Sequence, residues 1–332
     1  MSRFFIDAIA RLGVICMAFG AASAEAEWHQ ANAAIMGTQI HVEVWHPDAD
    51  TAGAGIALVL KEIGRIDGLM SPHKVDSEVS QINAAAGADW VGVSAELARL
   101  LRTAEQLSVL SGGAFDLSFA SAGHLYGYRQ GLLPSPEQLR AATELIDFRQ
   151  IELDLARPAV RLARPGMRID LGGIAKGHAV ERAAQLLQAE GFAHALISAG
   201  GDTRLLGDRM GRPWIVGVRH PRSAHKLVTR IPLNNEAIST SGDYERFFEV
   251  DGLRHHHIIN PSTGDSARAV TSVTVIGPDA TWTDGLSTAL FVAGPETGLQ
   301  WINALAGYEA LVVDGQGQLH QSDGLIPMED AP

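Results

Sequence analysis

The chain has 332 residues, 46% of them hydrophobic, a single cysteine (Cys16) and a formal net charge of -12. That charge repels polyanions and excludes a nucleic-acid partner, and one cysteine excludes both a disulfide framework and a cysteine-based metal site. The length suits one large domain or two small ones.

Arg3 and Arg11 precede an uncharged apolar run from Leu12 to Ala24, which ends in small residues with A-x-A spacing. This is the pattern of a secretory signal peptide over residues 1–24, cleaved near Ala24 or Ala26, and it predicts an exported, periplasmic protein. The run is short for a membrane span, and an uncleaved anchor is the alternative. Ile15 before Cys16 is a poor fit to lipid attachment.

Beyond it, "TQIHVEVW" (38–45) alternates like a strand. Ile56, Leu60, Ile63 and Ile66 predict a helix over 54–69. Leu97, Leu100, Leu101, Ala104 and Leu107 predict another over 95–109, stopped by Ser111-Gly112-Gly113. Ser135-Pro136 opens a third over 135–145. Residues 150–163 read as a hairpin turning near Arg157-Pro158. "GMRIDL" (166–171) predicts a strand ending in Asp170. Further strands are expected in "HALISAGG", "PWIVGVRHP", "KLVTRIPL", "TSVTVIG" and, last, "EALVVDG" (309–315). Strands and helices mix without regular βαβ order, so the fold class is α+β, with mixed sheets and packed helices in a single domain over 28–325.

Residues 169–184, "IDLGGIAKGHAVERAA", carry the first chemistry. Ala179, Ala183 and Leu186, and Val180, Ala184 and Leu187, recur at helical spacing. The glycines therefore sit at a strand-to-helix junction, where unpaired N–H groups and the helix dipole favour an anion. Gly172 and Gly173 let backbone approach a ligand. Lys176 in the first turn opposes the dipole and makes sense beside a bound anion. Neither a Walker A loop nor G-x-G-x-x-G is present, and an ordinary Gly-rich turn with a solvated lysine fits the same residues. In "TDGLSTALFV" (283–292), Asp284 and Thr288 share a helix face and offer hard oxygen ligands suited to Mg²⁺. An N-terminal acid and a back-bonding threonine are the plain alternative. "HHHIINPSTG" (255–264) ends in a turn at Pro261–Gly264. Its neighbouring histidines alternate sides if extended, so one of them, or His255 with His257, can face a site.

Eight segments occur in an order that resembles the ApbE flavin transferases: "IMGT", "SEVSQIN", "GGAFDLS", "IDLGGIAKGHAV", "SAGGDTRLLG", "AISTSGDYERFF", "HHIINPSTG" and "TDGLSTALFV". The resemblance covers roughly residues 34–315. It implies an exported enzyme that splits FAD, attaches FMN through a phosphoester to a Ser or Thr of a target protein, and releases AMP with the help of Mg²⁺. It implies metal ligation by Asp284, Thr288 and the Gly173 carbonyl. Lys176 and Asp170 would hold FAD, and Met36, Ala114, Phe115, Asp116 and Ile258 would line its pocket. His257 matches the family's motif position and is the candidate base, since a neutral imidazole can take a hydroxyl proton near pH 7; orienting the phosphate is the alternative role. The implied partner is a flavin-accepting periplasmic or membrane-bound redox subunit, with the membrane reached only through that target. Three positions depart from the family's pattern. His73 stands where an aromatic commonly stacks on the flavin, Asn260 where Asp is common, and Gly285 where Ala is usual. A hydrolase that cuts FAD with water, and a flavin carrier without transfer activity, are the competing functions.

Overall fold

The computed structural model describes residues 27–325; the segment expected to be a signal peptide lies outside the described residues. A hairpin comes first, β1 (Glu27–Ile35) and β2 (Thr38–His46). Its turn residues, Met36 and Gly37, have φ of 55° and 67°, as a two-residue type I′ turn requires. Asn-Gly is the usual pair there, and a methionine in the left-handed region is uncommon. Helix α1 (Ala49–Met70) follows, capped by Asp48, which accepts from the Thr51 N–H at 2.8 Å. It buries Ile56, Val59, Ile63 and Ile66. Next are α2 (Glu78–Ala84), β3 (Val91–Gly92), α3 (Ala95–Leu110), the short α4 (Ala120–Gly123), and α5 (Pro136–Thr143) with a full capping box at Ser135 and Gln138. β4 (Ile151–Asp154) and β5 (Ala159–Leu162) form the expected hairpin, and β5 also pairs with β3. Then come α6 (Ala175–Ala189), β6 (Ala195–Ala199), β7 (Asp202–Leu206), the ribbon of β8 (Trp214–His220) and β9 (Ser223–Leu233), and β10 (Ala237–Gly242). A hairpin of β11 (Phe247–Val250) and β12 (Leu253–His256) precedes β13 (Val270–Gly277), α7 (Ala280–Ala293), α8 (Pro295–Ala304), β14 (Glu309–Asp314) and β15 (Leu319–Gln321).

Eight strands make the main sheet in the order β1-β2-β6-β7-β10-β13-β14-β15, with every pairing antiparallel. β13 is buried along its whole length, so both sheet faces are covered there. Successive strand residues point to opposite faces, and β10 shows the two layers: Ala237 belongs to the large core under α1, α6 and α7, while Ile238 joins a smaller cluster with Trp214, Val218, Ile231 and Leu233 of the β8–β9 ribbon. Each large aliphatic side chain fully buried in these layers stabilises the fold by about 1.5–3 kcal/mol. This is the expected α+β architecture. Among the described residues no helix is long and apolar enough to cross a membrane.

The strand predicted over 166–171 does not form. Residues 167–170 belong to no sheet, and their backbone bonds elsewhere. Ile169 exchanges two hydrogen bonds with the Asn83 side chain (2.7 and 2.9 Å). The Arg168 N–H donates to Ser121 Oγ at 3.0 Å, and the Asp170 N–H to the Leu117 carbonyl at 3.1 Å. Alternating hydrophobicity marks which side chains go inward, not what the backbone pairs with. β14 is also not the last strand, because β15 pairs with it.

Candidate active site

Helices α6 and α7 meet at their N-terminal ends. A Cβ on Gly177 would lie 2.1 Å from the Ala280 carbonyl oxygen and 2.6 Å from Asp284 Cβ. Only glycine permits that approach, so the third glycine of the motif serves helix packing. At the contact each helix caps the other. Asp284 Oδ2 accepts from the Gly177 N–H at 2.9 Å, and Glu181 Oε2 accepts from the Ala280 N–H at 3.0 Å. α6 has no side-chain cap at its own Ile174, and Asp284 supplies an acceptor from the neighbouring helix. Glu181 is itself held by Arg204 at 3.2 Å.

Lys176 projects into this junction. Its Nζ lies 2.5 Å from Asp202 Oδ2 and 3.6 Å from Asp284 Oδ2, and both carboxylates are buried. Burial alone would depress the lysine, but Asp202 and then Asp284 outweigh it and raise its pKa. Burial, and then the Asp202 carboxylate, hold Asp284 well above the usual carboxylate range. Asp202 is absent from the residues singled out in the sequence. It sits inside "SAGGDTRLLG", and a lone acid after two glycines carries no periodic signal.

One turn beyond Asp284, Thr288 Oγ1 lies 3.5 Å from Ser241 Oγ and 3.0 Å from where a Gly173 Cβ would stand. Gly173, Asp284 and Thr288 are thus brought together. Asp284 Oδ2 is engaged by Gly177 and Lys176, whereas Oδ1 has no protein partner among the described residues. A carboxylate oxygen, a hydroxyl and an uncovered backbone fit a hard cation such as Mg²⁺. Among the described residues no group of three or more His, Cys, Asp or Glu side chains could hold a metal. A sparse protein donor set suits an ion that takes most of its shell from water and phosphate.

The His257 N–H donates to the Arg246 carbonyl at 3.2 Å, and its ring Nδ1 is buried without a partner. Burial, then the charges of Arg246 and Lys176, push the imidazole down to about 3, so it is neutral at pH 7. The other two histidines turn away. His255 stacks on Phe248 at 5.6 Å, beside Asp265. His256 Nε2 donates to the Ala267 carbonyl at 2.7 Å while Nδ1 accepts from the Ile258 N–H at 3.3 Å, a structural role. Asp170 accepts from the Gly172 N–H at 2.7 Å. Burial raises its carboxyl, against the opposing influence of that N–H, His73 and Arg246. His73, exposed on the loop after α1, therefore lies near Asp170. Arg246 Nη2 would be 3.4 Å from a Cβ on Gly37, so it rests against the Met36-Gly37 turn.

Other expected pocket residues are placed differently. The Asp116 carboxylate takes the Ser118 N–H (2.8 Å), the Ser118 hydroxyl (2.6 Å) and the Phe148 N–H (2.8 Å). It anchors its own loop and presents little to a ligand. Phe115 is buried behind Gly173, with a ring carbon 3.3 Å from the Cβ position there; Ala114 is half-buried beside it and Ile258 is buried. Asn260 Oδ1 accepts from the Ser262 N–H (2.9 Å) and hydroxyl (2.8 Å), an Asx turn that aspartate would build equally well. A Cβ on Gly285 would fall 2.3 Å from Leu107 Cδ1, so α3 fills the space that an alanine methyl would need.

A helix N-terminus capped from a neighbouring helix, a lysine shared by two buried carboxylates, and a neutral imidazole next to Arg246 mark the candidate site of this α+β protein. The chain belongs to the ApbE family, whose profile matches residues 36–312. It is similar to the FAD:protein FMN transferase of Treponema pallidum, 34% identical over 88% of this chain and 86% of that one. A Klebsiella pneumoniae protein of the same name is 32% identical over 85% and 88%. Among solved structures, the ApbE protein of Thermotoga maritima superposes with a TM-score of 0.83 at 34% identity, covering 90% of this chain and 97% of that one. The flavin transferase ApbE of Vibrio cholerae gives 0.80 at 27% identity, covering 90% and 98%.

Proposed function

We propose that the protein is an exported, Mg²⁺-dependent FAD:protein FMN transferase. The activity named for its relatives supports the transferase reading, and the N-terminal segment supports export. The observation that carries the reading is the Asp202–Lys176–Asp284 cluster set against Gly173 and Thr288. In the reaction, an acceptor Thr or Ser oxygen bonds to the phosphorus on the flavin side of FAD. The bond from that phosphorus to the bridging oxygen breaks, AMP leaves, and the hydroxyl proton passes to His257. Asp284, Thr288 and the Gly173 carbonyl would hold Mg²⁺, which supplies neutralisation of charge on the phosphate oxygens. Lys176 fixes the Asp284 carboxylate and adds positive charge at the helix N-terminus. His257 is a weak base because it is buried and, second, because the charges of Arg246 and Lys176 bear on it. A pyrophosphate bound beside those two cations offsets their fields and makes the same ring more basic when it is needed.

Purified protein, FAD, Mg²⁺ and a candidate acceptor with an accessible threonine test the reading. Covalent flavin on the acceptor, with one AMP released per flavin, is the expected result. Free FMN and AMP without acceptor labelling would assign a hydrolase instead, and flavin binding with no cleavage would assign a carrier. Subcellular fractionation with mass determination of the N-terminus tests export and cleavage near Ala24 or Ala26.

A further inference from the structure

The segment joining β10 to β11 carries four charges or polar rings, and all the carboxylates in it are paired. Asp243 takes Arg222 in a two-pronged contact (2.6 and 2.6 Å) and Arg254 at 3.4 Å. Glu245 takes Arg219 at 3.0 Å. Arg246 differs. Among the described residues its guanidinium makes no ion pair, hydrogen bond or ring contact, although it is exposed and next to Glu245. It is not directed to bulk solvent alone. Its charge bears on Asp170, Lys176 and His257, and its Nη2 rests against the Met36-Gly37 turn. The carboxylates nearest the site are already used. Asp202 and Asp284 engage Lys176, and Asp170 accepts from Gly172. A guanidinium held among site groups without an anion of its own is arranged for an incoming one, and its planar fork matches phosphate oxygens.

We propose that Arg246 binds the phosphate on the flavin side of FAD, the phosphoryl group that is transferred. The position favours that phosphate over the adenylate one. Arg246 lies between His257, the proton acceptor for the attacking hydroxyl, and the Met36 turn, whereas Lys176 sits with the carboxylates at the helix junction. This assignment rests on the transferase reading. It makes Arg246 a residue that touches the reacting group and stays with it from FAD to product.

Three small probes separate the possibilities in wild type, Arg246→Ala and Arg246→Lys: FMN, which carries that phosphate, riboflavin, which lacks it, and AMP, which carries the other. Arg246 is exposed, so the fold is expected to survive both changes, with thermal unfolding as the check. Arg246→Ala is expected to weaken FMN binding about tenfold or more, the scale of a lost charge-assisted bond, with riboflavin and AMP changed less than about twofold. Single-turnover transfer should fall about a hundredfold or more, and Arg246→Lys should recover part of both losses. Equal losses for FMN and riboflavin would overturn the proposal and make Arg246 a wall of the flavin pocket. A loss confined to AMP would move it to the other phosphate, and unchanged FMN affinity and transfer would remove it from the site. A wild-type protein that binds none of the three probes would overturn the FAD reading itself, a result distinct from any effect of the arginine.

Discussion

Gly177→Ala isolates the contact on which the site is built. The new methyl would start 2.1 Å from the Ala280 carbonyl oxygen and 2.6 Å from Asp284 Cβ. Relief from 2.1 Å to the 3.4 Å of ordinary contact needs a movement of more than 1 Å, and no side-chain rotation supplies it because the first obstacle is backbone. Overpacking of this kind costs about 1–3 kcal/mol; the better helix propensity of alanine returns up to about 1 kcal/mol. A net loss of about 1–2 kcal/mol follows, together with a shift of α7 relative to α6. That shift moves Asp284, whose Oδ2 is bonded to the Gly177 N–H. A displacement near 1 Å at a reacting centre can lower the rate about a hundredfold. The assay is thermal unfolding beside transfer rate measured against Mg²⁺ concentration. The variant is expected to melt several degrees lower and to need far more Mg²⁺ for a reduced rate. Gly64→Ala is the control: it lies within α1, a Cβ there meets nothing within 4 Å, and it should stabilise by about 0.4–1 kcal/mol with activity unchanged. A Gly177→Ala protein with wild-type melting and Mg²⁺ dependence would refute the reasoning.

Asp284→Asn keeps an acceptor for the Gly177 N–H but removes the charge, so it should stay folded and lose transfer at every Mg²⁺ concentration; activity restored by excess Mg²⁺ would remove Asp284 as an essential ligand. His257→Gln should slow transfer at least about a hundredfold, the low end for loss of a general base, with FAD affinity changed far less; parallel losses would make it a binding residue. The same variant tests the depressed imidazole. Between pH 7 and pH 5 the unfolded ring gains a proton and the folded ring does not, so falling pH costs wild type about 2 kcal/mol of stability that His257→Gln keeps; parallel urea-unfolding curves at the two pH values would contradict this. His73→Tyr should tighten FAD by about 0.5–1.5 kcal/mol through a larger stacking face, and an unchanged fluorescence titration would place the flavin elsewhere. Lys176→Met leaves two buried carboxylates without their cation and should destabilise the protein by about 3–5 kcal/mol, with Mg²⁺ restoring part of the loss; a melting temperature indifferent to Mg²⁺ would separate the metal from these carboxylates.

What was legible in the sequence follows from where its information lies. Asp284 and Thr288 stand four apart on a helix, a local spacing that one dimension preserves. The glycine motif was legible as a place of close approach, but Gly177 meets a helix 103 residues away by numbering, at Ala280, and nothing nearby announces it. Asp202 and Glu181 are single charges whose partners come from distant segments, and Arg246 pairs with none of the described residues, so no period marks them. β1 lacks the alternation of a strand because its inward positions include alanines, and it lies at the sheet edge, half exposed. α8 buries only Gly298 and Ile302 completely, too few for an apolar stripe. The β11–β12 hairpin is different. Asp251 and Gly252 both have positive φ (52° and 75°), and Asp-Gly between apolar residues is a readable hairpin signal.

The charge pattern explains why a lysine sits where a helix dipole disfavours it. In the first turn of α6, Lys176 opposes the dipole by about 0.3–1 kcal/mol. An acid there would suit the helix, but it would repel the pyrophosphate of the proposed substrate. The fold meets both demands by moving the acid to another element: Asp284 reaches over from α7 to accept the Gly177 N–H, and Asp202 from β7 holds the ammonium. Lys176 in turn supplies the cation that two buried carboxylates need when nothing else is bound, since such groups otherwise take up protons. The reciprocal cap from Glu181 fixes the start of α7 and therefore the height of Asp284 and Thr288 above Gly173. The proposed anion and cation sites are consequently one structure. The helix terminus that favours phosphate is finished by the carboxylate that would hold the metal, and the glycine between them sets the distance.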